Sequence, residues 1–293
     1  MRRSHQILVA IAAAVIAAAI AAAVLTRDGD DSGPRPRAVP ATVDRPAAPV
    51  EEKHARRPKA KQRPSKPVPR PERVRSRPAP LPHVSGRKLP WRATGVSRVA
   101  HAVNRRLAVY ARPGAKRPNV LLPNPTRLGV ARVLLVHSQR KKWIRLYMPT
   151  RPDGRTGWVR RRAVRVLRNP YRIVIHLRTH RLALWRGDGR VFRTAIVTGA
   201  GPTPTPRGVF FVTELLKPPD PNGAYGPFSF GISAHSRVLK RFAGGNGQVG
   251  IHGTNQPWLI GRSVSHGCIR VNNSVIRRLA HILPLGTPVW IRA

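Results

Sequence analysis

The sequence predicts a mainly β protein with one or two short helices, set behind a long unfolded basic stretch. Three features point there. Short β-branched and aromatic runs, separated by Pro or Gly turns, recur from about Val96 to the end of the chain. A single segment near the C-terminus carries apolar residues at helical spacing. The first third of the chain holds nearly half of the 31 prolines and, beyond one N-terminal run, few large apolar groups.

The chain opens with Met1-Arg2-Arg3 and then nineteen uninterrupted apolar residues, Ile7 to Leu25. At about 1.5 Å per residue this run is about 28 Å long, close to the thickness of a bilayer core. The leading arginines favour the cytoplasmic side, so everything after Leu25 is expected outside. Residues 1–26 read as a membrane anchor or as a cleaved signal peptide, since alanine-rich sequence offers many small-residue cut sites. The expected location is therefore single-pass at the cell membrane with the folded part outside, or secreted.

Residues 27–94 are Pro, Arg, Lys and Ala with almost no large apolar side chain; Arg63-Pro64-Ser65-Lys66-Pro67 is typical. Such a stretch cannot build a core and is expected to be extended, disordered and linker-like. Residues 95–168 are expected to form a small β-domain. Leu107 to Tyr110, Ala131 to Val136, Trp143 to Tyr147 and Thr156 to Val159 are its strand candidates, with Pro152-Asp153-Gly154 as a turn. This pattern resembles a small SH3-like β-barrel, closed by the Gly157-Trp158-Val159 strand.

Residues 170–293 form the second folded unit. Ile173 to Leu177 and Arg181 to Trp185 are strands joined by a turn at Arg178-Thr179-His180, and Gly187-Asp188-Gly189 turns into Arg193 to Val197. Val209 to Thr213 continues the pattern. Asn273 or Ser274 is a candidate cap for a helix with Ile276, Leu279, Ala280 and Leu283 on one face. Pro284 and Gly286 stop the helix, and Pro288 to Ile291 is a last strand.

The formal charge is +44, from 55 Lys+Arg against 11 Asp+Glu. A charge of this size calls for a polyanionic neighbour: nucleic acid, an anionic membrane surface or an anionic wall polymer. The arginines are spread along the chain without a helix-turn-helix or stacking-aromatic pattern, which argues against specific nucleic-acid readout.

The one cysteine, Cys268, cannot form an internal disulfide. It is either a buried thiol with no chemistry or a nucleophile. Its setting, Ser265-His266-Gly267-Cys268-Ile269-Arg270, suits a nucleophile. Gly267 allows a sharp turn beside the thiol, and the N–H groups of Gly267 and Cys268 are candidate oxyanion donors. Upstream, Gly250-Ile251-His252-Gly253-Thr254 supplies His252 as a candidate base. No carboxylate lies nearby in sequence, so the orienting acceptor for its ring is expected to be backbone, with the Gly253 carbonyl the candidate. The competing chemistry is a zinc site on His252, His266 and Cys268; His235 and His281 add no ligand spacing to it.

These segments together resemble the L,D-transpeptidase (YkuD-like) catalytic domain. The likeness rests on His252-Gly253-Thr254, on Ser265 through Arg270, on Thr203-Pro204-Thr205-Pro206-Arg207-Gly208-Val209-Phe210, and on Tyr225-Gly226-Pro227-Phe228 followed by Gly231-Ile232-Ser233. The resemblance implies a β-sandwich or barrel with short helices. It implies acylation of Cys268 by a tetrapeptide stem of peptidoglycan, with His252 as base and Gly267 and Cys268 holding the oxyanion. His266 would shape the site, and Arg270 would bind a substrate carboxylate. Tyr225 belongs to a substrate-covering stretch, and Gly253, Thr254 and Ser265 line the substrate path. No cofactor or metal is implied, and the implied partners are peptide stems; the charge of the basic linker adds anionic wall polymers or a membrane surface as its expected partners. Hydrolytic trimming of stems, and a purely wall-binding role, are the alternatives. The chain is expected to act as a monomer.

Overall fold

The computed structural model describes residues 89–91, 95–242 and 244–293. The apolar run from Ile7 to Leu25 and nearly all of the basic stretch lie outside the described residues. Among the described residues, no helix is long and apolar enough to cross a membrane.

The first part is an antiparallel β unit. Its strands are β1 (Ser97–Ala102), β2 (Arg106–Val109), β3 (Val120–Pro123), β4 (Val133–Gln139), β5 (Trp143–Tyr147), β6 (Thr156–Arg160) and β7 (Val164–Asn169). Five of them form one sheet in the order β6-β5-β4-β1-β7, and β2 with β3 makes a separate hairpin. Leu107, Val109, Leu134, Ile144, Leu146 and Val159 meet in its core. Each of the four anticipated runs falls on a strand. β1 and β7 went unanticipated because arginines interrupt their valines. They run the full length of each other, from Ser97 opposite Asn169 to Ala102 opposite Val164, and so join the two ends of the unit.

The second part contains β8 (Tyr171–His176), β9 (Arg181–Arg186), β10 (Gly189–Ala195), β11 (Thr198–Gly199), β12 (Gly208–Leu216), β13 (Ser229–His235), β14 (Gln248–His252), β15 (Ser263–Ser265), β16 (Ile269–Arg270), α1 (Asn273–Ile282) and β17 (Pro288–Arg292). Eight strands form one sheet in the order β10-β9-β8-β17-β12-β13-β14-β16. The last strand is therefore central. β17 runs parallel to β8 and antiparallel to β12, which puts Val289 and Ile291 in the core with Ile173, Ile175, Phe210 and Val212. Helix α1 buries Ile276 and Leu279 against the same core. Its N-cap is Asn272, with no side-chain capping bond, rather than Asn273 or Ser274. Asn273 has a different task, described below.

Two features join the parts. Alternation along β12 sends Phe210 and Val212 into one core, while Phe211 is fully buried in the other, with Val209 packed beside it. The turn between β5 and β6 also grips a loop of the second part. The Arg151 guanidinium donates to the carbonyls of Ser236, Leu239 (3.0 Å) and Asn246 (2.9 Å). The Asp153 carboxylate accepts the His235 backbone N–H at 3.0 Å and lies 3.3 Å from the His235 ring Nδ1. Arg151 and Asp153 thus hold both ends of the segment 236–247.

Because Phe211 is shared in this way, Phe211→Ala should destabilise by about 3–5 kcal/mol, as emptying a buried aromatic site does. Denaturant unfolding followed by tryptophan fluorescence and by far-UV circular dichroism should shift together. Loss of one signal at the wild-type midpoint would mean the two parts fold independently.

Candidate active site

Strands β14 and β16 bring the two motifs together. They pair in parallel, with Ile251 opposite Ile269 and His252 opposite Arg270. Ile251 and Ile269 both point into the core. Period-two alternation then puts Gly250, His252, Cys268 and Arg270 on the other face. The Gly250 N–H donates to Cys268 Sγ at 3.4 Å. A Cβ at position 250 would press on the Phe230 carbonyl oxygen at 3.2 Å and reach the His252 ring at van der Waals distance.

His252 is buried, and its Nδ1 lies 2.7 Å from the Gly253 carbonyl oxygen. That carbonyl can only accept, so Nδ1 carries the proton and Nε2 is left as the acceptor. The Tyr225 ring packs over the imidazole with centroids 4.7 Å apart. Gly226 (φ +62°) and Gly253 allow this approach: a Cβ on either would fall within 2.4 Å of Asn273 Oδ1. Asn273 uses that oxygen to accept the Thr254 N–H at 2.8 Å, tying the start of α1 to the histidine turn.

The turn carrying the thiol is held by hydroxyls. Ser265 Oγ donates to the Cys268 carbonyl at 2.6 Å and accepts the Gly267 N–H at 3.1 Å. Thr205 Oγ1 donates to the Gly267 carbonyl at 2.9 Å and accepts the Gly199 N–H at 2.8 Å. Thr203 Oγ1 donates to the Ser265 carbonyl at 3.1 Å. Gly267 sits at φ +115°, a conformation that favours glycine.

Residues 170–291 match the family model described as the L,D-transpeptidase catalytic domain, YkuD. The chain is 31% identical over 134 residues to the Bacillus subtilis protein named L,D-transpeptidase YqjB, covering 42% of this chain and 71% of that protein. The chain belongs to the YkuD L,D-transpeptidase family. It is also 38% identical over 122 residues to the protein named L,D-transpeptidase YkuD of Bacillus licheniformis, covering 42% of this chain and 66% of that one. The chain thus spans just under two thirds of the length of the Bacillus YkuD proteins it matches. A solved L,D-transpeptidase of Enterococcus faecium is 24% identical over 42% of this chain and 50% of that chain, with a TM-score of 0.33.

The structure brings Cys268, His252, Gly253, Tyr225 and Arg270 together and gives other residues of the family motif structural tasks. The Gly267 N–H is already donated to Ser265, so the expected oxyanion donor there is engaged. The Cys268 N–H has no acceptor among the described residues. Ser265 and Thr254 were expected along the substrate path, but both are buried and hydrogen-bonded to backbone. Gly231-Ile232-Ser233, expected in a substrate cover, lies within β13, between β12 and β14. His266 is exposed beside Phe242 of the clamped segment, with ring centroids 5.1 Å apart. Arg270 donates to Gln256 Oε1 at 3.0 Å, and its buried Nε has no partner among the described residues. Among the described residues, no three His, Cys, Asp or Glu side chains converge to hold a metal ion. Sequence reasoning missed Gly250, Gln256 and the tie from Asn273, none of which carries a local signal.

Burial dominates the electrostatics. It pushes the Cys268 thiol above its ordinary pKa, against smaller opposing effects of the Gly250 N–H and Arg270. It pulls His252 down to about 4, with the Gly253 hydrogen bond opposing and Arg270 assisting. It raises Tyr225 as well, and the charges of Cys268 and Arg270 act on that hydroxyl in opposite directions. The resting site is thus a neutral thiol beside a neutral imidazole, not a thiolate–imidazolium pair.

Two pH effects follow. His252 must be neutral to accept a proton, so activity of the free enzyme should fall as pH drops through about 4, not through the ordinary histidine value. Alkylation of Cys268 by iodoacetamide should have a midpoint above that of a free cysteine, about 8.5. A midpoint below neutrality, read by intact-mass labelling, would show a preformed thiolate and refute the neutral-pair assignment.

Proposed function

We propose that the protein is a peptidoglycan L,D-transpeptidase working outside the cytoplasm, in which Cys268 is acylated and His252 moves the proton. One observation carries this reading: Cys268 Sγ and His252 share one open sheet face, with Nδ1 of the histidine committed to a carbonyl. That arrangement leaves Nε2 as the free acceptor of the ring and no charge on either group before substrate arrives.

Sγ attacks the carbonyl of the diamino acid at the third position of a tetrapeptide stem. His252 Nε2 takes the thiol proton as the S–C bond forms. The Cys268 N–H, with no acceptor of its own among the described residues, is the donor best suited to the developing oxyanion. On collapse, the C–N bond to the terminal D-alanine breaks and the imidazolium returns its proton to the leaving amine. The thioester is then attacked by a side-chain amine of a second stem, whose proton passes to His252 as Cys268 is released. Arg270, with an unpartnered Nε, suits the carboxylate of a stem, and Tyr225 closes the site over His252. The basic stretch preceding the β units suits anionic wall polymers, and an N-terminal anchor or signal would place the enzyme at the wall.

The full-length chain in detergent, incubated with a disaccharide-tetrapeptide ending in D-alanine, should yield a product with the mass of two substrates less one alanine. Cys268→Ala should yield none, and His252→Ala should be slower by roughly 10²–10⁴-fold, the usual worth of a positioned base. Loss of alanine without dimer would make the enzyme a carboxypeptidase. No reaction on several stem types would favour a wall-binding protein.

A further inference from the structure

The sheet face that carries Cys268 and His252, turned away from the core, is lined by cations at its far end, on β10-β9-β8-β17. Ile173, Ile175, Leu182, Leu184, Val289 and Ile291 point into the core. Their alternates face outward in three cross-strand rows. Arg172, Trp185 and Arg190 form the first, and Trp290, Val174, Ala183 and Arg193 the second. Arg181, His176 and Arg292 form the third. Val174 and Ala183 are small, so the surrounding side chains enclose a groove of about 430 Å³.

Arg193 is there because β10 is irregular. Strict alternation from an outward Arg190 would turn Phe192 outward and Arg193 to the core. Instead the register shifts between Arg190 and Phe192, so that Arg190 opposes Trp185 and Arg193 opposes Ala183. The bulge turns Phe192 to the core and returns a second arginine to the groove.

Among the described residues none of the groove arginines forms an ion pair. At one end Arg172 is buried, donating to the Gly95 carbonyl at 3.2 Å and to the Gly187 carbonyl, with Asp188 acting on it. The charges open to the groove are therefore those of Arg181, Arg190, Arg193 and Arg292. Uncompensated like charge destabilises a folded surface through self-repulsion, which a bound counter-charge relieves. His176 registers the imbalance: burial, Arg292 and Arg193 all hold its ring below the ordinary histidine pKa.

The tryptophans orient the guanidinium groups. Arg172 lies over Trp185 at 4.9 Å and Arg292 over Trp290 at 4.8 Å. Trp91 packs against Trp290 with centroids 6.3 Å apart. Ring faces used in this way are not free as platforms for nucleobases, which is what base stacking requires. Several planar forks around one small floor match an anion whose oxygens point in several directions, as a phosphodiester's do, better than a planar carboxylate.

We propose that this groove binds a phosphodiester polymer with small polyol units between its phosphates, at a site separate from Cys268. The inference does not depend on the reaction assigned to Cys268, since it uses none of the same residues.

The test is titration of the full-length chain in detergent with a poly(glycerol phosphate) oligomer at fixed ionic strength. Tryptophan fluorescence gives the affinity, and histidine NMR follows the His176 ring. Binding should raise the His176 titration midpoint, and R193Q/R292Q should weaken affinity at least tenfold. R193K/R292K keeps the charge but loses the forks and should still weaken it severalfold. In the absence of polymer, R193Q should melt no lower than the wild-type chain, because repulsion is removed; this guards against a misfolded variant.

Unchanged affinity in both variants, or an unmoved His176 midpoint, would assign binding to the basic N-terminal stretch and overturn the proposal. Tighter binding of an oligothymidylate with equal phosphate number would make the ligand a nucleic acid and overturn it too. Equal binding of polyglutamate would remove the phosphate specificity. Transpeptidation is read separately by mass spectrometry, so either proposal can fail while the other stands.

Discussion

The parallel pairing of β14 with β16 is the constraint on which the site depends. Two short segments, separated by the loop that contains Trp258 and the 3-10 turn Pro257–Leu259, meet over only two residue pairs. Ile251 and Ile269 bury their side chains beneath the pairing, so the hydrophobic effect fixes its register. A slip of β16 by one residue would turn Cys268 toward the core and Ile269 out, separating the thiol from His252. The same pairing sends the Val271 N–H to the His252 carbonyl at 2.9 Å, and the Arg270 N–H and carbonyl to Val197 on the other side. The nucleophile's strand is therefore held from both edges.

Hydroxyls do around Cys268 what a carboxylate does in many nucleophilic sites. With only four acidic residues after Trp91, the chain has little anionic charge to place near the imidazole. A backbone carbonyl orients the ring, and Ser265, Thr203 and Thr205 hold the turn. A neutral acceptor does not stabilise an imidazolium as a carboxylate would, and this fits the strong lowering of His252 by burial. On the proposed mechanism, charge separation at this site arises only as substrate is attacked.

The clamp of Arg151 and Asp153 and the shared Phe211 tie the first β unit to the surroundings of this site. Asp153 holds His235 at the end of β13, the strand next to the one that carries His252, and Arg151 holds the segment whose Phe242 touches His266. The first β unit therefore holds the segment that packs against His266, two residues before the thiol.

What the sequence determined by itself is local. Alternating apolar residues specified strands such as Trp143–Tyr147 and Arg181–Arg186, because burial of one sheet face imposes a period of two. The Gly-flanked histidine and cysteine marked the chemistry, and the want of nearby acids pointed to a backbone partner for His252. Tertiary structure decided what depends on partners far along the chain. It put β17 at the sheet centre, spent Ser265 and Gly267 on the turn, and sent Asn273 to Thr254 instead of to its own helix. It also gathered arginines from four strands onto one face, with a bulge that no periodicity reveals. These outcomes rest on pairing between distant segments, and a residue's own neighbours in sequence carry no record of which strand it will meet.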